Sequence, residues 1–227
     1  MYRRAMQNSA ASADTAAAPA RERILDAAER VFARDGFAGA AMKAIATEAE
    51  VAQGLLHYHF DSKEGLYAAV VARRSALINK ARAEALAEVD LARPDALEQV
   101  FEALFRPPLG PEGGGADYAR IFATLAVGGE RDRLLVREHY DPVAEQFIAA
   151  LMQAEPRAGR EVAAWAYAHS IGALIGIVAR DGRPERLASG AEATRCDTDT
   201  VVARLVAYAA GGLRAMIAEE GLMPRTD

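Results

Sequence analysis

Two short apolar-periodic segments separated by three residues constrain this chain more than any other feature. In residues 41–49, Met42, Ile45, Ala46 and Ala49 recur at helical spacing; Glu50-Val51-Ala52 follows, then Gln53-Gly54-Leu55-Leu56-His57-Tyr58-His59-Phe60. Leu56 and Phe60 stand at i and i+4, so on a helix they share one inward face. Gln53, Leu55, His57, Tyr58 and His59 then fan around the other sides. Two short helices joined by so tight a turn form the helix-turn-helix pattern. Its second helix enters the major groove of DNA, where base edges can be read.

The flanking chain reads as support for that pair. Residues 1–19 are rich in Ala, Ser and Thr, lack an apolar period and are expected to be a disordered tail. Over 20–35, Ile24, Leu25, Ala28, Val31 and Phe32 form one apolar stripe. Gly36 supplies the left-handed residue that ends a helix, and Phe37 is expected to fold back into the same small core. Asp61 or Ser62 caps a long helix over 64–90 with a basic middle of Arg73, Arg74, Lys80 and Arg82. Further helices are expected at 94–105, 117–128, 131–154, 157–180 and 198–220. A mobile loop is expected over 107–116, which holds three prolines and Gly113-Gly114-Gly115, and a polar loop over 181–197. No segment shows period-two alternation rich in β-branched residues. The expected fold is all-α, with a three-helix head over 20–66 and a larger helical domain over 67–227.

The net charge of -5 at first argues against nucleic acid. Its distribution argues otherwise: residues 1–82 carry 12 Lys+Arg against 9 Asp+Glu, a net of +3, and residues 83–227 carry 15 against 23, a net of -8. Such asymmetry is expected when one end meets phosphates. The single cysteine, Cys196, forms no intrachain disulfide and fits a reducing, cytoplasmic setting. No apolar segment follows Arg3 and Arg4, so no secretory signal is read. The uncharged run 162–179 is short for a membrane span and carries His169 and Ser170 in its middle; it reads as a buried helix. No phosphate-binding glycine loop, nucleophile elbow or metal-ligand cluster is present in the sequence. His57 and His59, two apart on a helix, diverge too far to chelate a metal. The expectation is a non-enzyme without cofactor.

The ordered set Ala27-Ala28-Glu29-Arg30-Val31-Phe32-Ala33-Arg34-Asp35-Gly36-Phe37, Ile45-Ala46, Val51 through Phe60, Ser62-Lys63-Glu64 and Leu66 resembles the TetR family of transcriptional regulators. The resemblance implies an all-α homodimer whose head binds double-stranded DNA and whose larger domain binds a small molecule, most often to release a repressor. By matching positions, Gln53, Gly54 and Leu55 would face bases, and His57, Tyr58, His59 and Lys63 would hold phosphates. The chemistry agrees. A glutamine amide can pair with an adenine edge, a leucine can touch a thymine methyl, and a glycine lets the backbone come close. The sequence departs from the family pattern at Glu50, where glycine is usual, and at Ala40 and Ala41, where threonines usually cap the second helix. A missing cap costs about 1 kcal/mol. These departures keep a second reading open, a helical small-molecule-binding protein whose head is weak on DNA.

In the larger domain Trp165, His169 and Gly172 share a helical face, and Phe105 and Phe122 belong to i,i+4 aromatic pairs. Phe105, Phe122, Trp165 and His169 are therefore candidate effector contacts, and the apolar middle helices suggest a hydrophobic or aromatic effector. Ala166, Ser170, Ala173 and Ile177 form a second face of the same helix. Val202, Leu205, Ala209, Leu213 and Met216 form a matching stripe on the last. Both stripes suit either the core of one chain or a contact between two; the family resemblance implies a four-helix dimer interface.

Overall fold

The computed structural model describes residues 2–178, 182–189 and 196–220, and every regular element among them is helical. The helices are α1 (Tyr2–Gly39), α2 (Met42–Glu48), α3 (Gln53–Phe60), α4 (Lys63–Ala87), α5 (Ala96–Leu109), α6 (Gly115–Val127), α7 (Glu130–His139), α8 (Asp141–Ala154), α9 (Arg160–Val178), α10 (Arg183–Ser189) and α11 (Thr198–Glu220). A single 3-10 turn, Pro111–Gly113, joins α5 to α6. The chain divides into two compact units between Arg73 and Arg74, inside α4, rather than at 66/67 as the sequence suggested.

The first unit is built on a small apolar core. Ile24, Leu25, Ala28, Val31, Ile45, Leu56, Leu66 and Val70 are fully buried. Each large aliphatic among them stabilises by about 1.5–3 kcal/mol. Gly36 adopts φ 68° and ψ 171°, and α1 breaks its helical path there. Phe37 then turns back, its ring 6.1 Å from Phe32 and 5.2 Å from Tyr67. Arg73 on α4 donates to Glu22, Asp26 and Glu29, spaced along one face of α1, and so clamps α4 to it. The backbone of α1 is helical from Tyr2, where the sequence reading expected a disordered tail. The alanine-rich composition that carries no apolar stripe also carries high helix propensity.

In the second unit α11 packs chiefly on α5 and α9, and α9 also on α8 and α6. Val100, Phe101, Leu104, Phe105, Phe147, Leu151, Ala163, Leu174 and Leu213 make its centre. The expected 131–154 helix is two, α7 and α8, parted at Tyr140 (φ -118°, ψ -31°). Pro142 has no N–H for the carbonyl four residues back and opens a new helix instead. Conversely, α5 runs through Pro107 and Pro108, both buried, into the stretch expected to be a loop. Pro108 cannot serve the Leu104 carbonyl. That oxygen accepts from Arg82 Nε on α4 at 3.0 Å, so a side chain replaces the missing backbone donor. The expected polar loop over 181–197 contains α10; residues 190–195 lie outside the described residues.

Candidate nucleic-acid interface and effector cavity

On α3, Leu56 is fully buried and Phe60 nearly so, which fixes the helix and leaves its other faces free. Gln53, Gly54, His57 and Tyr58 are exposed, Tyr58 at 79%; Leu55 and His59 are half-buried. His57 Nδ1 lies 2.9 Å from the Asp61 carbonyl. A carbonyl only accepts, so the proton sits on Nδ1. The neutral ring then offers a lone pair at Nε2, and donating to a phosphate requires the imidazolium. His59 departs from the role expected of it, because its Nε2 is buried without a hydrogen-bond partner and its ring lies 5.9 Å from Phe60. Lys63 is half-buried. Its Nζ donates to the Ala40 carbonyl at 3.1 Å and the Ala38 carbonyl at 3.4 Å, 4.6 Å from the centre of the Phe37 ring. An ammonium has three donors, so Lys63 ties down the end of α1 and keeps one for another acceptor.

The departures at the turn have a visible cost. Glu50 takes φ 54°, a left-handed backbone that a side chain disfavours. Ala41 and Ala52 stand at the N-caps of α2 and α3, with no side-chain hydrogen bond at either. Glu50→Gly is therefore expected to stabilise the protein by about 1 kcal/mol. Urea unfolding should show a higher midpoint at an unchanged slope, and a lower midpoint would mean that the Glu50 side chain makes contacts outweighing the strain.

In the second unit, α4, α6, α7, α8 and α9 enclose a cavity of about 530 Å³. Phe122, Ala126, Val127, Val136, Ala144, Ala168, Ile171, Gly172 and Ile175 give it an apolar lining, with Arg82, Tyr140, Asp141 and Tyr167 as the polar groups. Burial pushes the Tyr140 hydroxyl up to about 12, against a hydrogen bond from or to Tyr118 at 2.5 Å. Burial likewise raises Tyr167. Both phenols stay neutral and keep their O–H hydrogens. Of the four expected effector contacts, Phe122 lines this cavity. Phe105 is wholly buried in the core, stacked 6.0 Å from Phe101, which corrects the reading of it as a ligand contact. Trp165, 55% exposed, and His169, its ring 5.5 Å away, stand on the outer face of α9 and are not among the lining residues, a second correction. Sequence reasoning missed Arg82, Tyr140 and Tyr167.

The stripes expected to meet a second copy are largely core of one chain. Ala166, Ser170, Val202, Leu205, Ala209 and Leu213 are buried, and Ala173, Ile177 and Met216 are partly buried against the same cluster. The surface lies on the opposite faces: Trp165, His169, Gly172 and Gly176 on α9, and Arg204, Tyr208 (67% exposed), Gly212 and Ala215 on α11. Both helices are apolar and long enough to cross a membrane by length and composition alone. With one face of each in the core, the unusual property is how apolar and glycine-rich the other face is.

Residues 24–70 match the family profile described as bacterial regulatory proteins, tetR family, and residues 98–212 match that of the tetracyclin repressor-like C-terminal domain. The chain is 46% identical over 57 residues to the HTH-type transcriptional regulator UidR of Escherichia coli, covering 25% of this chain and 29% of UidR. It is 39% identical over 75 residues to the HTH-type transcriptional repressor NicS of Pseudomonas putida, covering 33% of this chain and 34% of NicS. The match thus spans about a third of each relative's length. A TetR-like transcriptional regulator from Rhodococcus superposes with a TM-score of 0.63 at 22% identity, over 86% of this chain and 96% of that one, a likeness of fold.

Proposed function

The chain belongs to the TetR family of bacterial regulators, and on that premise we propose that it is a cytoplasmic, homodimeric, ligand-responsive DNA-binding regulator of the repressor type. The observation that carries the reading is the free face of α3, where Gln53, Gly54, His57 and Tyr58 stand exposed over buried Leu56 and Phe60. Gln53, Gly54 and Leu55 face bases; His57, Tyr58 and the remaining donor of Lys63 hold phosphates and set register. Two copies pair through the outer faces of α9 and α11 to span two half-sites. The apolar cavity around Phe122 takes the effector. Ligand then favours dimers whose α3 helices no longer match the half-site spacing, which requires only different affinities for the two states.

Selection of bound genomic fragments at two salt concentrations tests this, and a palindromic site is the expected result. On that site, Lys63→Ala should weaken binding to all sequences and reduce the salt slope by about 0.9. Gln53→Ala should relax preference at one base position. An unchanged slope for the first, or a uniform loss for the second, would reverse those assignments. The strained Glu50 and the uncapped α2 favour one other reading, a ligand-binding protein with a weak head. Absence of salt-dependent binding would select it.

A further inference from the structure

Resting on the reading of the 530 Å³ cavity as the effector site, we infer that the effector is an organic acid whose carboxylate pairs with the Arg82 guanidinium and accepts from the Tyr140 and Tyr167 hydroxyls. Arg82 is 1% exposed, and its Nε is spent on the Leu104 carbonyl. Nη1 and Nη2 are both buried and have no hydrogen-bond partner among the described residues. A buried lysine or histidine can shed its charge, but arginine cannot. Burial lowers the Arg82 pKa and still leaves a cation. The neighbouring tyrosines, held neutral by burial, do not balance it. Asp141 is the one carboxylate among the lining residues, and it is exposed and forms no ion pair with Arg82. The site therefore holds an uncompensated positive charge beside an apolar chamber.

The two terminal nitrogens of a guanidinium form a fork that fits both oxygens of a carboxylate. One fixed cation among apolar walls suits a monoanion, since a phosphate dianion would bring a second charge with no partner. The body of the acid lies against Phe122, Ile171 and Ile175, in a volume ordinary for small ligands. The effector is thus more specific than the hydrophobic or aromatic molecule suggested by the sequence; it is apolar at one end and anionic at the other.

The competing role for Arg82 is structural, as the donor to the carbonyl that Pro108 leaves free. The full-length protein distinguishes the two. Displacement of the neutral fluorophore aminoanthracene is measured with benzoate and octanoate, each against its amide. The acids should displace the probe and the amides should be at least about tenfold weaker. Arg82→Met should erase that preference while the probe still binds. Tyr167→Phe, which keeps Arg82, should weaken the acids several-fold and leave the probe unchanged. Acids and amides binding alike, or an acid preference that survives Arg82→Met, would overturn the anionic reading and leave the cavity intact. An Arg82→Met protein that melts lower and keeps its preference assigns Arg82 to structure alone. If the probe does not bind, or binds equally well after Ala144→Trp fills the chamber, the cavity reading itself falls and this inference with it.

Discussion

Gly212→Arg is expected to give a monomer that is at least as stable as the parent chain and binds operator DNA about 10²–10⁴-fold more weakly. The two halves of this result have opposite signs and separate causes. Gly212 lies inside α11, is exposed, and an added Cβ meets nothing within 4 Å. Within one chain the substitution therefore gains helix propensity, about 0.5–1 kcal/mol over glycine. Between two chains it places a long charged side chain where Tyr208 and Gly212 on α11 would meet Trp165 and Gly176 on α9. A bulky charge in the middle of a close helix contact blocks it. Operator affinity then drops because the second head no longer binds at the high effective concentration that a tethered partner provides. Light scattering gives the mass, thermal melting the stability, and titration at fixed salt the affinity. A stable dimer that still binds its site would move the interface elsewhere on the surface.

The stripes on α9 and α11 show what a helix pattern can and cannot say. In the head each helix has one apolar face, so Ile24, Ile45 and Leu56 could be placed inward from spacing alone, and they are fully buried. The helix α9 is apolar nearly all round, with Ala166, Ser170 and Ala173 on one side and Trp165, Gly172 and Gly176 on the other. Periodicity then finds two faces and cannot rank them. The ranking comes from the neighbours, because α8 and α11 cover the first side. The breaks in the chain were partly legible for a similar reason. Gly36 and the Glu50 turn were readable because local backbone demands are written in single residues. Pro108 misled because its cost is met at a distance, by Arg82.

Arg82 carries a signal in the sequence itself. Along α4, Val71, Ser75, Ile78 and Arg82 fall at i, i+4, i+7 and i+11, and all four are buried. A cation in phase with a buried stripe is expensive unless something pairs with it. Read only as part of a basic middle, Arg82 does not show that cost. The same residue links two features, the continuation of α5 through Pro108 and the polar end of an otherwise apolar cavity.

Gly65→Ala and Gly54→Ala are both expected to abolish operator binding, one with a loss of stability and the other with a gain. Gly65 lies in the first turn of α4, where its N–H donates to Ser62 Oγ at 3.1 Å. A Cβ there would stand 2.3 Å from the Phe60 carbonyl oxygen, a backbone atom at the end of α3 that cannot swing aside. The turn from Phe60 to Ser62 must shift, and α3 with it. Overpacking of this kind costs about 1–3 kcal/mol, and it displaces Gln53 and Tyr58 from the geometry that reads DNA. Gly54 is the converse case. It is exposed on α3 and its Cβ would meet nothing within 4 Å, so alanine should stabilise the helix by about 0.8–1 kcal/mol. What it removes is close approach of the backbone to the duplex. Denaturant midpoints and operator titrations on the two variants therefore separate a head that is misplaced from one that is intact but held off. If Gly65→Ala melts like the parent, the junction of α3 and α4 is looser than its contacts imply. If Gly54→Ala binds DNA normally, the helix does not come close at that residue, and base reading must begin from Gln53 and Leu55 alone.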